Sequence, residues 1–235
     1  MFYLPELSGE STLGNIVTLD GEESGHCARV LRLDIGDLLQ ITNGEGWIFE
    51  GHLLNNNPKA CTLRIDSKNF VKKDRSNIHL AVAPTKNIGR FEWFLEKATE
   101  IGIDEITPLF CQHSERQNLR LNRMNKVILA AVKQSLNAYH PLLHQPASFH
   151  DFMKLETANQ KFIAYVDREL CTHLKEAYKP GSSAIILIGP EGDFSQAEIG
   201  LALEKGYQAV SLGTSRLRTE TAAVVACHTL NLMSY

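Results

Sequence analysis

The chain has 235 residues, 43% of them hydrophobic and 22% charged, with a formal net charge of −3. This is the balance of a soluble globular protein with material for one large domain or two modest ones, and it argues against a general nucleic-acid binder. No apolar run reaches membrane-spanning length, and Met1 to Pro5 lack the basic region and apolar core of a signal peptide, so a cytoplasmic protein is expected.

The first seventy residues read as β-rich. Ser11 to Leu19, Asp37 to Thr42, Trp47 to Leu54 and Lys59 to Ile65 are short apolar or alternating runs. They are separated by the turn signals Asp20-Gly21, Asn43-Gly44-Glu45-Gly46 and Asn55 to Pro58. Such a series predicts a small β-barrel. A short helix around His26 to Leu33 would set Arg29 and Arg32 one turn apart on one face. The polar stretch Lys68 to Asn77 is the expected linker, which gives domains over 1–72 and 73–235.

Beyond it, strands alternate with helices. Ile78 to Ala83 reads as a strand, and Arg90 to Ile101 as a helix whose Phe91, Phe94, Leu95, Ala98 and Ile101 form a core stripe ended by Gly102. Ile103 to Phe110 is a strand. Leu121 to Ser135 is a helix with Met124, Val127, Ile128, Ala131 and Val132 inward and its basic residues outward. From Arg116 to His150 there is no Asp or Glu, whereas Arg116, Arg120, Arg123, Lys126 and Lys133 are all present. That face suits a phosphate backbone, although a solvated helix face is the commoner origin of such a run. Phe162 to Val166, Ala184 to Ile188 and Gln208 to Leu212 are further short strands. The alternation predicts an α/β fold with a parallel sheet covered on both faces. Thr221 to Met233 is a helix apolar nearly all round, so it must be buried in the domain or against another subunit.

Two loops follow these strands, Ile188 to Ser195 and Leu212 to Thr221, and ligand sites in open α/β sheets lie past the carboxyl ends of strands. Ser195 and Glu198 form a capping box that starts a helix carrying Ile199, Ala202 and Leu203 on one face and ending at Gly206. Gly189 and Gly192 flank Pro190-Glu191 and let a ligand approach the backbone. Taken alone, Gly-Pro-Glu-Gly also makes a good tight turn in any protein. Neither loop has the Gly-x-Gly-x-x-Gly spacing of a dinucleotide-binding dehydrogenase.

Cys27, Cys61, Cys111, Cys171 and Cys227 are scattered, which predicts reduced thiols. The nine histidines show no metal-ligand spacing, and no metal is expected.

The string Leu187-Ile-Gly-Pro-Glu-Gly-Asp-Phe-Ser195, then Leu212-Gly213 and Leu217-Arg-Thr-Glu-Thr-Ala-Ala223, resembles the cofactor end of the bacterial 16S ribosomal RNA uridine-N3 methyltransferases. That family lies within the SPOUT class of knotted RNA methyltransferases. The resemblance extends to His26, Arg29 to Arg32, Gly36 and Asp37, to Lys97 to Gly102 with Ile106 to Leu109, and to Ser114, Arg116 and Lys133 to Ser135. It departs at Leu136-Asn137, where the family often has an arginine.

The resemblance implies a PUA-like β-barrel RNA-binding domain followed by a SPOUT domain with a deep trefoil knot, a homodimer, and S-adenosyl-L-methionine as methyl donor. Its cofactor residues would be Ile188, Gly189, Pro190, Glu191, Gly192, Leu212, Gly213, Leu217, Arg218 and Thr219. RNA, as 16S rRNA or the assembled 30S subunit, would meet Arg29, Arg32, Arg116, Arg120, Arg123 and Lys133. Arg218, Glu220 and Glu191 are the candidate catalytic groups: a fixed cation near the uracil carbonyls favours the deprotonated imide, and a carboxylate could take the proton. Competing roles remain, namely phosphate binding for Arg218 and helix-dipole complementation for Glu220. A knotted methyltransferase acting on another RNA, or a ribosome-assembly RNA-binding protein without turnover, is the alternative.

Overall fold

The computed structural model describes residues 1–155, 158–165 and 172–234, arranged as two compact units. The expected strand end at Val166 and the thiol of Cys171 lie outside the described residues.

The first unit comprises residues 1–73 together with 132–140. Its strands are β1 (Phe2–Tyr3), β2 (Ile16–Thr18), β3 (Leu38–Thr42), β4 (Trp47–Asn55) and β5 (Thr62–Phe70), in the sheet order β1-β3-β4-β5-β2. Phe2 and Leu4 beside β1 and Leu19 beside β2 join Phe49, Leu53 and Leu63 in one buried cluster, so the sheet curls about a single core. Three details differ from the pattern in the sequence. Only Ile16–Thr18 of the first expected strand pairs, because turn hydrogen bonds such as Ser11 N–H to Ser8 O and Asn15 N–H to Thr12 O occupy the residues before it. Strand β5 runs on to Phe70 opposite Trp47, consuming the start of the expected linker. Residues 132–140, expected in the second domain, pack with the first unit. Ala138 O accepts from Thr42 Oγ1 and Gly46 N, both at 3.0 Å, and the Tyr139 hydroxyl donates to Val71 O at 2.7 Å.

The helix α1 (Gly21–Gly25) is capped by Asp20, whose carboxylate accepts from Glu23 N at 2.8 Å. It continues as one wide turn over His26–Leu31 and ends at Arg32, which takes a left-handed conformation with φ 55°. Arg29 and Arg32 are both exposed, but Arg32 is the cap rather than a helical residue, so they do not share a regular helix face.

The second unit holds an all-parallel sheet in the order β11-β13-β10-β12-β6-β7-β8, with β9 also on β7. The strands are β6 (Ile78–Val82), β7 (Glu105–Phe110), β8 (Leu142–Leu143), β9 (Ala147–Ser148), β10 (Gln160–Ala164), β11 (Thr172–His173), β12 (Ala184–Ile188) and β13 (Gln208–Ser211). Every residue of β12 is buried, as an unbroken apolar run requires when both faces of a parallel sheet are covered. The helices are α2 (Ile88–Ile101), α3 (Leu121–Gln134, whose last three residues belong to the first unit), α4 (Phe149–Phe152), α5 (Leu174–Ala177), α6 (Gln196–Glu204) and, after the last strand, α7 (Thr219–Leu232). Asn87 caps α2 at one end and Gly102, at φ 107°, ends it, while Phe91, Phe94, Leu95 and Ala98 are fully buried. The final helix α7 packs on α2, β6 and β12 through Ala223, Ala226, Cys227 and Leu230.

The strand order sets the site. After β12 the chain crosses through α6 to β13, leaving β10 between the two strands. The loops leaving β12 and β13 therefore emerge on either side of the carboxyl end of β10.

Candidate functional site

A cavity of about 330 Å³ lies between those loops, lined by Ile188 to Glu191 and Asp193 from one, Arg216 to Thr219 from the other, Ala164 and Tyr165 after β10, and Ala222 of α7. A direct bond joins the loops: Thr219 Oγ1 donates to the Gly189 carbonyl at 3.0 Å in a buried setting. Of the residues that sequence places at a cofactor, Ile188, Gly189, Pro190, Glu191, Leu217, Arg218 and Thr219 line this cavity. Gly192, Leu212 and Gly213 do not. Gly192 turns its carbonyl to His113 Nδ1 at 3.2 Å, and a Cβ on it would stand 3.1 Å from the His113 side chain. Gly213 has φ 126°, a conformation that its position in the turn after β13 demands and that a side chain would oppose.

The first loop is held from both ends. The Ser195–Glu198 capping box forms, and the second oxygen of Glu198 accepts from Gln112 N at 2.8 Å. At the other end, Phe194 crowds Gly189, where an added Cβ would meet its ring at 3.1 Å. Glu191 Oε1 accepts from Lys86 N at 3.0 Å, while Arg116 donates to Lys86 O at 2.8 Å and Thr85 O at 3.3 Å. Glu191 thus ties the segment after β6 to the first loop, and Arg116 ties the same segment to the stretch after β7. The Lys86 ammonium pairs with Glu115 at 2.8 Å, which raises its pKa above the ordinary lysine value.

Arg218 is the N-cap residue of α7, with an extended backbone and an exposed side chain at the rim of the cavity. Glu220, two residues on, is buried, with Oε1 3.7 Å from Arg90 Nε. Among the described residues its Oε2 has no hydrogen-bond partner. Arg90 and Tyr165 had no motif to mark them; the one available signal for Tyr165 was its place near the carboxyl end of an expected strand.

The basic residues divide. Arg29, Arg32 and Arg120 are exposed, and Arg120 and Arg123 line a cleft of about 570 Å³ with Asn122 and Lys126. Arg123 is bound to Glu92 at 2.8 Å, and Arg116 to the carbonyls above. Lys133, whose contact with RNA the resemblance implies, pairs at 2.8 Å with Glu23, whose side chain is 5% exposed. A carboxylate taken out of water requires such a counter-charge.

Residues 72–231 match the model of the RNA methyltransferase domain, and residues 19–66 match that of the RNA methyltransferase PUA domain. The ribosomal RNA small subunit methyltransferase E of Buchnera aphidicola is 29% identical over 229 residues, covering 94% of this chain and 89% of that protein. A probable rRNA-methyltransferase from Porphyromonas gingivalis is 38% identical with a TM-score of 0.89, covering 99% of this chain and 97% of that one. The small subunit methyltransferase E of Neisseria gonorrhoeae, solved bound to S-adenosyl methionine, is 27% identical with a TM-score of 0.85 and covers 96% of this chain and 94% of that one.

Proposed function

We propose, for a chain that belongs to the RNA methyltransferase family over residues 72–231, that it transfers a methyl group from S-adenosylmethionine to N3 of one uridine in 16S ribosomal RNA of the small subunit. The observation that carries this reading is the cavity closed on both sides by the loops after β12 and β13 and tied across by Thr219 and Gly189. Its volume falls in the range of small-molecule sites, and its lining mixes apolar Ile188, Leu217 and Ala222 with exposed polar groups, as a nucleoside with an amino-acid tail requires.

When bound, the donor supplies an electrophilic methyl group, and the displacement needs no covalent attachment to the protein. The chain's own residues provide alignment, which supplies much of the rate when it replaces a chance encounter. Gly189 to Glu191 and Leu217 to Thr219 form the walls. Arg218 sits where its guanidinium can face the uracil carbonyls and stabilise the imide that remains once N3 loses its proton. Glu220, buried next to the lining residue Thr219 but not itself lining the cavity, has Oε1 3.7 Å from Arg90 and Oε2 without a hydrogen-bond partner among the described residues, and is the candidate proton acceptor in this scheme. Glu191, engaged with Lys86 N, acts as a positioning residue. The target base must leave any pairing partner, because a paired N3 is inaccessible.

In this reading residues 1–72 are a PUA-like barrel that contacts RNA through Arg29 and Arg32, and residues 73–235 form the SPOUT domain. The last third threads as a trefoil knot, an arrangement consistent with α7 packing back on β6 and β12. The molecule works as a homodimer. No helix among the described residues is long and apolar enough to cross a membrane, in keeping with a cytoplasmic enzyme.

Mass mapping of 16S ribosomal RNA from cells with and without the protein tests the proposal. One uridine methyl group should disappear in its absence. An unchanged methylation map would refute the reaction, and no calorimetric affinity for S-adenosylmethionine would leave an RNA-binding protein without turnover.

A further inference from the structure

A second cavity, of about 590 Å³, lies near the amino ends of β6, β7 and β12, opposite the ends from which the cofactor loops emerge. Three side chains of metal-ligating type meet in it: His79 on β6, Glu105 on β7 and His144 just past β8. Sheet register brings them together. His79 is the direct partner of Glu105 across the β6–β7 pair, and β8 pairs with β7 through Glu105 and Leu142, after which His144 N donates to Ile106 O at 2.9 Å.

One potential ligand atom from each residue lies within 4.8 Å of those from the other two. His144 Nε2 stands 2.7 Å from Glu105 Oε2, and the His79 and His144 ring centroids are 5.2 Å apart. The His79 ring is held by the Thr107 hydroxyl, 2.8 Å from Nε2, and by the edge of Phe152. The other two side chains can adjust, being 35% exposed for His144 and 31% for Glu105.

We propose that His79, Glu105 and His144 bind one divalent transition-metal ion of the zinc class. Two imidazoles and a carboxylate are a donor set suited to zinc, with bonds of about 2.0–2.2 Å, and three protein ligands leave a coordination position open towards the cavity. The ligand atoms of a tetrahedral ion are about 3.4 Å apart at those bond lengths, so closure from the present spacing is a matter of side-chain rotation at the two partly exposed residues. The ion takes the place of the hydrogen now shared by His144 and Glu105. Bound there, it clips together the starts of β6 and β7 and the residue following β8, and stands apart from the cavity proposed for methyl transfer, so this inference does not rest on that reading.

The test is titration of the metal-free, untagged protein with Co²⁺ and then Zn²⁺. The expected result is one equivalent of Co²⁺ with d–d absorption typical of nitrogen and oxygen ligands, displaced by Zn²⁺, and a higher melting temperature with either ion. Glu105→Gln and His144→Ala should each weaken binding at least tenfold while melting in chelator near the wild-type temperature; His150→Ala, exposed on α4 and outside the cavity, should bind as the wild type does. Absence of stoichiometric binding, equal binding by both cluster variants, or a thiolate charge-transfer band would overturn the proposal.

Discussion

The hydroxyl of Thr219, first residue of α7, donates across 3.0 Å to the carbonyl of Gly189, first residue after β12, in a bond spanning thirty residues of sequence. Thr219→Val keeps the shape of the side chain and strips the donor, leaving a buried carbonyl without its partner at a cost of about 1–3 kcal/mol. The expected result is a lower melting temperature with S-adenosylmethionine affinity reduced at least tenfold, both restored by Thr219→Ser. A valine variant that melts and binds like the wild type would show that the bond does not hold the loops together.

Arg218 caps α7 with its backbone, and its side chain makes no capping bond, so its guanidinium is free of that structural duty. Arg218→Ala is expected to lower kcat by 100-fold or more, the range lost when one charge-stabilising donor is removed, with donor affinity changed by only a few-fold. Single-turnover kinetics alongside calorimetry separate the two quantities. Loss of donor affinity in place of turnover would reassign Arg218 to binding.

Lys133 and Arg29 are both basic, yet their substitutions should fail differently. Lys133→Ala strands the Glu23 carboxylate, and a buried group left without its partner costs about 1–3 kcal/mol or more. Its signature is a fall in thermal stability, measured by calorimetry, larger than that of Arg29→Ala. Equal stability of the two variants would show the Glu23 pair to be idle.

Arg29 and Arg32 are exposed, and phosphate contacts release counterions. The double variant Arg29→Ala/Arg32→Ala should bind the target RNA more weakly, and the slope of log affinity against log salt should become shallower by about 1.4–1.8 for two lost contacts. An unchanged slope would place the RNA elsewhere on the protein.

Much of the architecture was legible wherever the governing interactions are local. The stripe Phe91, Phe94, Leu95 and Ala98, the stop at Gly102, the Ser195–Glu198 box and the apolar run of β12 all appear where the sequence placed them, because periodicity and capping act within a turn or two. The two-residue β1 was not legible: it pairs in parallel with β3 and has no alternation of its own to reveal it. Nor was the length of β5, whose polar end at Ser67 to Phe70 is held in the sheet by pairing with β4.

The candidate site shows the same division. The two loop motifs named most of the cavity's walls, since a glycine turn and a helix start are written in neighbouring residues. That they face one another was decided by β10 lying between β12 and β13, a matter of sheet order. Sheet order likewise brought Tyr165 to the cavity, Lys133 packed onto Glu23 within the first unit, and register set His79 beside Glu105 and His144 in a chain whose histidine spacing suggested no metal site. Composition and short-range pattern determine which elements form and where they begin and end. Which charges pair and which side chains share a cavity depends on contacts between residues tens of positions apart, settled only when the strands choose their neighbours and the core closes.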